Sequence, residues 1–238
     1  YDIVIPSVGR PSLAALLDSL AADDGPGAGR TIVVDDRAAV PTDPTDDPVA
    51  AISSRHRTVE VIRSGGRGPA AARNLGWRAA TAPWIAFLDD DVVVEAGWGR
   101  RLADDLDRAS PIVAGVQGGV EVPMDPARRP TDWERNVAGL ADARWITADL
   151  AYRRCALEAA EGFDPRFGRA YREDADLALR LLRAGWELQV GERRVRHPVP
   201  PAPWWISLVK QAGNADDALM RRLHGRRWRR DVGAGPSR

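Results

Sequence analysis

Short apolar runs rich in valine and isoleucine recur along the first half of the chain, and turn residues bound each of them. Runs that are apolar at nearly every position are typical of strands buried on both faces. We predict five such strands, over 2–6, 31–36, 59–63, 84–91 and 112–120. The spacing of apolar residues between them predicts helices over 12–21 and 70–80. Strands that alternate with helices in this way indicate an α/β fold, with a mainly parallel sheet flanked by helices.

Other segments are less regular. The stretches 37–50 and 124–135 lack apolar periodicity, so we expect a surface loop and a lid over a site, respectively. A short strand and a helix should follow the lid. Residues 172–185 show the clearest helical pattern, with acidic residues at the start and Gly185 at the end. The Pro-rich segment 198–205 should then lead into a last amphipathic helix.

Composition and charge narrow the class of protein. The chain has 238 residues, 44% of them hydrophobic and 29% charged, which is ordinary for a globular protein large enough to be an enzyme. The formal net charge is zero, so no overall field attracts nucleic acid and no nucleic-acid partner is expected. Arginines nevertheless crowd the C-terminus. They form either a solvated helix face or a surface for an anionic membrane or lipid-linked acceptor: Arg221, Arg222, Arg226, Arg227, Arg229 and Arg230.

The cysteine count and the first residues bear on the compartment. The single cysteine, Cys155, excludes an internal disulfide and a thiolate zinc site, and we expect it to be a small buried residue. The chain does not start with basic residues followed by a long apolar core, and no apolar run approaches the roughly 20 residues of a membrane span. We therefore expect a cytoplasmic protein, either free or peripheral to the inner face of the membrane.

Three consecutive aspartates, Asp89, Asp90 and Asp91, follow the apolar residues of the fourth predicted strand. Asp35 and Asp36 end the second strand in the same way. Ligands of parallel sheets bind at the carboxyl ends of strands, so both acidic groups are expected to face a site. Repulsion among neighbouring carboxylates calls for positive charge. Mg²⁺ or Mn²⁺ would supply this charge, since both ions favour carboxylate oxygens and substrate phosphates as ligands. The alternative is a solvated acidic turn.

Five segments that occur in this order resemble the family 2 glycosyltransferases, which have the GT-A fold. The segments are "VIPSVGRPSLAALLDSL", "TIVVDD", "GRGPAAARNLGWRAATAPWIAFLDDDV", "AYRRCALEAAEGFDPRF" and "REDADLALRLLRAGW". Their combination is specific, although each segment alone is a weak signal. The resemblance implies a glycosyltransferase domain over 1–200, with a nucleotide-sugar-binding half at 1–120 and an acceptor and catalytic-base half at 121–200. Residues 201–238 would form a helical, arginine-rich extension.

The resemblance also implies an activity. A sugar would move from a nucleotide-diphosphate sugar to an acceptor hydroxyl by a single, inverting displacement. The donor would be a UDP, TDP or GDP sugar whose diphosphate is held by Mn²⁺ or Mg²⁺, and the acceptor would be a saccharide, a lipid-linked molecule or a natural product. Such a transfer needs one carboxylate to take the hydroxyl proton and a metal to stabilise the leaving diphosphate.

Donor-binding residues follow from the resemblance. Asp36 would bind the nucleoside, with Ser7 and Arg10 beside it on the first loop. Asp89 and Asp90 would face the ribose and the donor sugar. Either Arg67 or Arg73 would contact the base or the diphosphate. The complete set is Ser7, Arg10, Asp36, Arg67, Arg73, Asp89 and Asp90.

The remaining candidates concern the metal, the base and the sugars. Asp91 and His197 are the implied metal ligands, although His197 could equally be a packing residue. Asp174, the second acid of "REDAD", is the implied general base; its helix N-terminus should favour the ionised form, and a plain N-cap is the alternative. Candidates for contacts with the donor sugar or the acceptor are Asp149, Glu173 and Trp204, and the histidines expected in solvent are His56 and His224.

Two other classes compete with a transferase. A nucleotidyltransferase that makes nucleotide sugars has a related architecture, but it needs a glycine-rich loop with a basic end after the first strand, and "PSVGRPS" fits this poorly. A non-catalytic module that binds sugar nucleotides or carbohydrates is the third class. The presence of Asp36, Asp91 and Asp174 argues against it.

Overall fold

The computed structural model describes residues 1–39, 41–43, 46–203, 206 and 213–233, so the candidate Trp204 lies outside the described residues. The strands are β1 (Asp2–Ser7), β2 (Thr31–Asp35), β3 (Val59–Arg63), β4 (Trp84–Leu88), β5 (Val93–Val94), β6 (Val113–Glu121), β7 (Asp149–Arg153) and β8 (Glu187–Arg196). The helices are α1 (Ser12–Ala22), α2 (Pro48–Ser53), α3 (Pro69–Ala79), α4 (Trp98–Arg108), α5 (Asp132–Ala138), α6 (Arg154–Ala159), α7 (Glu173–Arg183), α8 (Asn214–His224) and α9 (Trp228–Asp231).

The strands form a mixed sheet in the order β3-β2-β1-β4-β7-β6-β8-β5. Parallel pairs join β3, β2, β1 and β4, and another joins β6 to β8. β7 runs antiparallel between β4 and β6, and β5 runs antiparallel to the end of β8. The predicted α/β fold with a mainly parallel sheet is confirmed, with antiparallel pairs added at β7 and β5. Consequently the carboxyl ends of β1, β2, β4 and β8 face the same edge of the sheet.

Alternate residues of β1 show how the sheet separates two cores. Ile3 and Ile5 pack with α1 and α4 on one face, whereas Val4 packs with α3, α6 and α7 on the other. Gly76 lets α3 approach the second face closely, because a Cβ atom at this position would overlap the Cγ1 atom of Val4. Removal of these apolar side chains from water is the main force that holds the layers together. It also fixes the strand ends that carry the acidic residues.

Several local expectations need correction. The elements α4, β5 and β8 were not predicted, because α4 has a narrow apolar stripe and β8 alternates exposed charges with buried residues. α2 begins inside the predicted loop 37–50, where the carboxylate of Asp47 caps it by accepting hydrogen bonds from the N–H groups of Val49 and Ala50. Cys155 on α6 is exposed rather than buried, because it lies on the outward side of a short surface helix.

The C-terminal helices α8 and α9 pack against α7, where Met220 and Trp228 join a third buried cluster. The two histidines expected in solvent are largely enclosed, and each pairs with an aspartate. The side chains of His56 and His224 are 12% and 5% exposed, and Nε2 of His224 lies 2.7 Å from Oδ1 of Asp176. Among the described residues, no helix combines the length and the apolar character that a membrane crossing requires.

Candidate active site

The predicted site segments meet at the carboxyl edge of the sheet. The three aspartates follow β4, Asp36 follows β2, and His197 follows β8. Asp174 is the second residue of α7. Hydrogen bonds and ion pairs join the aspartates to the β1–α1 loop, to the end of β8 and, through α3, to the start of α7. Segments that are distant in the sequence therefore form one constellation.

Asp90 anchors the loop between β1 and α1. Its Oδ2 atom accepts a 2.6 Å hydrogen bond from the Ser7 hydroxyl, and its Oδ1 atom accepts one of 2.9 Å from Nη1 of Arg10. Burial raises the pKa of Asp90, whereas Ser7 and Arg10 oppose this effect. Ser7 lies beside Asp36 as expected, because the Asp36 N–H donates a 2.8 Å hydrogen bond to the Ser7 carbonyl oxygen. The side chains of Ser7 and Arg10 nevertheless point to Asp90, since β1 and β4 are adjacent strands.

Asp91 and His197 come together from distant parts of the chain. The Nε2 atom of His197 lies 3.4 Å from Oδ1 of Asp91, and Nη1 of Arg10 lies 3.2 Å from Oδ2 of Asp91. The pairing of Val93 with Arg196 in the adjacent strands β5 and β8 explains this approach. Burial, together with the neighbouring charge of Asp89, raises the pKa of the Asp91 carboxyl. This carboxylate therefore lies where additional positive charge is favourable.

The pair fits a divalent metal ion. The Nδ1 atom of His197 lies 3.2 Å from the carbonyl oxygen of Pro198, which can only accept a hydrogen bond. A proton on Nδ1 leaves the lone pair of Nε2 facing Asp91. One carboxylate and one imidazole suit Mg²⁺ or Mn²⁺, which usually complete their shell with substrate phosphates and water. In the described part of the chain, no group of three or more acidic, histidine or cysteine side chains could hold an ion.

Arg73 links the aspartates to the start of α7. Its Nη2 atom donates a 2.7 Å hydrogen bond to Oδ1 of Asp89, and its Nη1 atom donates another of 2.7 Å to Oε1 of Glu173. Both Arg73 and Glu173 are 2% exposed, whereas the Asp89 side chain is 32% exposed. Asp89 therefore presents carboxylate surface toward the site, and Glu173 is committed to the protein interior.

Asp174 follows Glu173 and, unlike it, is partly exposed. The helix N-cap is Arg172, in a left-handed conformation with φ 77°, so Asp174 is not the N-cap. The start of α7 was expected to favour the ionised form of Asp174. This expectation is wrong, because the net shift of the Asp174 pKa is upward. Burial raises the pKa of Asp174, and the charge of Asp89 adds to this, because desolvation outweighs the hydrogen bond from the Ala175 N–H and the nearby arginines.

Asp36 joins the loops that follow β2 and β3. Its Oδ1 atom accepts hydrogen bonds of 2.6 Å from the Ser64 hydroxyl and 2.9 Å from the backbone N–H of Arg67. Gly66, with φ 73°, lies against Ala38, where a Cβ atom would come within 2.7 Å. The Arg67 side chain is at the exposed rim of this corner, whereas Arg73 is enclosed between acidic residues. The two arginine candidates thus occupy different environments.

Asp149 does not reach the site. It is fully buried, and its two carboxylate oxygens accept hydrogen bonds of 2.8 Å from Nε of Arg193 and Nε1 of Trp98. The expectation that Asp149 contacts a sugar is therefore wrong for this structure. Its carboxylate neutralises an arginine that is itself wholly enclosed, and no polar atom of Asp149 is left for a ligand.

Two arginines that sequence analysis did not single out organise the surroundings of the site. Arg37 donates to Asp35 at 2.8 and 2.7 Å and to Asp47 at 2.6 Å, which ties the loop after β2 to the start of α2. The hydrogen bonds to Asp35 raise the pKa of Arg37. Its position directly after "VDD" was the available signal. No such signal marks Arg193 in the sequence, because other charged residues surround it in β8.

The profile of the family described as Glycosyl transferase family 2 matches residues 2–176, which include Asp36, the three aspartates after β4 and Asp174. The chain belongs to this family. The resemblance seen in the sequence is thereby confirmed.

Curated relatives of this glycosyltransferase family member include the pre-mycofactocin glycosyltransferase of Mycobacterium tuberculosis, which is 34% identical over 172 residues. The alignment covers 67% of this chain and 35% of that protein. The succinoglycan biosynthesis protein ExoO of Rhizobium meliloti is 36% identical over 104 residues, which are 43% of this chain and 28% of that protein. The chain thus spans about a third of the length of these relatives.

Solved structures share the GT-A fold. The mannosyltransferase PcManGT from Pyrobaculum calidifontis, in complex with GDP-Man and Mn²⁺, matches with a TM-score of 0.65 and 23% identity over 92% of this chain and 64% of that one. GalNAc-T7, with UDP, GalNAc and Mn²⁺, matches with a TM-score of 0.66 and 14% identity over 85% of this chain and 44% of that one. At these identities the similarity concerns the fold alone.

Proposed function

We propose that this protein is an inverting, metal-dependent glycosyltransferase that moves a sugar from a nucleoside-diphosphate sugar to an acceptor hydroxyl. The observation that carries the proposal is the meeting of Asp91 and His197 at the same sheet edge as the partly exposed Asp174. The family assignment supports the reaction class. The donor-binding half would comprise residues 1–120 and the acceptor half residues 121–200.

The donor would bind across the ends of β2 and β4. Asp36 and Arg67 frame an exposed corner suited to the nucleoside, and Asp89 offers a partly exposed carboxylate to the ribose or the donor sugar. Ser7 and Arg10 would contribute indirectly, because they fix Asp90 and Asp91. The GDP-Man and UDP in the related structures favour a GDP or UDP sugar, and a TDP sugar fits the same carboxylates.

Asp91 and His197 would hold Mn²⁺ or Mg²⁺ through one carboxylate oxygen and Nε2. When bound, the ion supplies positive charge to the leaving diphosphate. The raised pKa of Asp91 fits this role, because burial and Asp89 make the carboxylate favour a nearby cation. Arg10, 55% exposed and 3.2 Å from Asp91, brings a second positive charge close to the same point.

Asp174 would act as the general base. Inversion requires the base and the metal to lie on opposite sides of the donor sugar. The origin of Asp174 on α7 and of the metal pair at the ends of β4 and β8 is compatible with this requirement. The proton of the attacking hydroxyl would move to the Asp174 carboxylate while the oxygen bonds to the anomeric carbon and the bond to the diphosphate oxygen breaks. A raised pKa makes Asp174 a stronger base than an ordinary aspartate.

The acceptor side includes the C-terminal helices. Five arginines there are exposed and have no acidic partner among the described residues, namely Arg221, Arg222, Arg226, Arg227 and Arg230. Two acids of the same helices have other partners: Asp217 pairs with Arg172 and Arg229, and Asp231 pairs with Arg183. This segregation of charge supports contact with an anionic membrane surface at the cytoplasmic face, where a lipid-linked acceptor would be found. Saccharide and natural-product acceptors remain compatible with the same base.

A donor screen and one substitution test the proposal. We expect one of UDP, GDP, TDP and CDP to raise the melting temperature, and to do so only when Mn²⁺ or Mg²⁺ is present. Asp174→Asn should lower transfer by about 10²- to 10⁴-fold while donor binding, measured by calorimetry, persists. Asp104→Asn on the exposed face of α4 is the matched control. Full turnover in Asp174→Asn would reject the base, and nucleotide shifts that are indifferent to metal would reject the metal site.

A further inference from the structure

Arg73 forms the side-chain link between the donor-side carboxylate and the helix that carries the proposed base. One guanidinium donates 2.7 Å hydrogen bonds to Asp89 after β4 and to Glu173 at the first position of α7. The positive charge also lies 5.7 Å from the centre of the Phe163 ring. Because the guanidinium is planar and its donors are fixed in a fork, it sets a distance and an angle between its two partners.

The backbone around α3 strengthens this link. Asn74, next to Arg73, donates from Nδ2 to the carbonyl of Phe163 at 2.7 Å and accepts from the Phe163 N–H at 2.9 Å. Gly68, the N-cap of α3, lies against the backbone of Gly168, where a Cβ atom would come within 2.8 Å of the carbonyl oxygen. The segment that precedes α7 is thus held to α3 at two points along its length, Phe163 and Gly168.

The environment of Arg73 leaves few alternative arrangements. The side chain is 2% exposed, its Nε atom has no hydrogen-bond partner, and the second oxygen of Glu173 also has none. Each of its two terminal nitrogens donates to a carboxylate rather than to open solvent. A donor phosphate could reach this guanidinium only by displacing one of them. A buried charge is costly unless its partner is correctly placed, so the positions of Arg73 and its two carboxylates depend on one another.

We infer that Arg73 is a positioning residue, which holds Asp174 at the correct distance from the donor sugar by fixing Glu173 relative to Asp89. The inference rests on the proposed function of Asp174 as base. It assigns Arg73 to the alignment of the reacting groups and leaves Arg67 as the arginine that contacts the donor. Alignment matters because a misplacement of about 1 Å can cost on the order of 100-fold in rate.

The test compares substitutions on both sides of the link. Arg73→Lys keeps the charge but not the fork, so we expect kcat to fall about 10- to 100-fold while the donor KM changes by less than about threefold. Glu173→Ala should lower kcat in the same way. Glu173→Gln should recover part of the loss, because its amide oxygen still accepts from Arg73. Arg78→Lys, on the exposed side of α3, is the matched control and should match the native protein.

Each result decides the role of Arg73. If Arg73→Lys raises the donor KM while kcat is unchanged, Arg73 binds the donor and the inference is overturned. Native values of both constants would overturn it as well. If Arg73→Lys does not fold, as judged by its thermal transition, the two Glu173 variants decide by the same criterion. The proposed function fails on a different result, which is full activity of Asp174→Asn.

Discussion

The Nε2 atom of His197 lies 3.4 Å from the Oδ1 atom of Asp91, although the two residues come from distant parts of the sequence. Their approach depends on the pairing of β5 with β8, which brings the end of β8 beside the turn after β4. Both side chains are mostly enclosed, with 9% and 23% exposure. The proposed metal-binding pair therefore depends on the pairing of these two strands.

Replacing His197 with Ala should weaken metal binding without unfolding the domain. Loss of one of two protein ligands is expected to raise the Mn²⁺ concentration for half-maximal activity by at least about tenfold, which corresponds to about 1.4 kcal/mol. A Mn²⁺ titration of transfer at saturating donor measures this. His56→Ala is the control, because His56 pairs with Asp18 on the amino side of β3, away from the site. Equal Mn²⁺ requirements in both variants would exclude His197 as a ligand.

The pH dependence of transfer should reflect the environment of Asp174. Burial raises the pKa of Asp174, and a base must be unprotonated, so activity should be present above this pKa and be lost as the pH falls through it. The midpoint in kcat should lie above the ordinary value of about 3.9 for aspartate. Measurements of kcat from acid to neutral pH at saturating donor and metal provide the check. A midpoint at or below the ordinary value would contradict the assigned environment.

Close packing of α3 on the sheet should make Gly76 intolerant of a methyl group. A Cβ atom there overlaps Val4, so Gly76→Ala should lower the free energy of unfolding by about 1–3 kcal/mol, as overpacked cores do. Denaturant unfolding measures the change. Gly27→Ala is matched in chemistry, and nothing lies within 4 Å of its added atom, so its stability should be unchanged. Equal stabilities for the two variants would show that α3 can shift away from β1.

The exposed arginines of α8 and the following turn should promote binding to anionic vesicles. Reversing Arg221, Arg222 and Arg226 to Glu should reduce co-sedimentation with phosphatidylglycerol vesicles and its sensitivity to salt, since each basic residue contributes about 1 kcal/mol near such a surface. Reversal of Arg55, Arg57 and Arg100, which are exposed elsewhere, controls for the total charge. If both triple variants bind as the native protein does, this surface has no part in membrane contact.

Much of the fold could be predicted because its signals are local. The apolar runs of β1, β2 and β4 and the leucine spacing of α7 are visible in a few consecutive residues. By contrast, half of the residues of β8 are charged, and the role of this strand depends on how Arg193 is neutralised by partners from two other elements. Such an arrangement has no signature in a short window of sequence.

The candidate site shows the same division. Asp36, the three aspartates and Asp174 stand at ends of regular elements, so pattern and family resemblance located them together. Arg10 was expected near Asp36, but the adjacent ends of β1 and β4 direct it to Asp90. Asp149 resembled a sugar contact, yet its strand position points it into the core that contains Trp98. Which face a polar side chain occupies is decided by the assembled sheet, and this explains both corrections.

The position of β7 limits how this protein could be divided. The strand comes from the second half of the domain, but it lies between β4 and β6, which both come from the first half. A fragment ending near residue 120 would lack the strand that joins those two and would leave their backbone edges open to other chains. Split reporters or domain exchange between family members should therefore avoid this boundary, because a cut there separates β7 from the two strands that it joins.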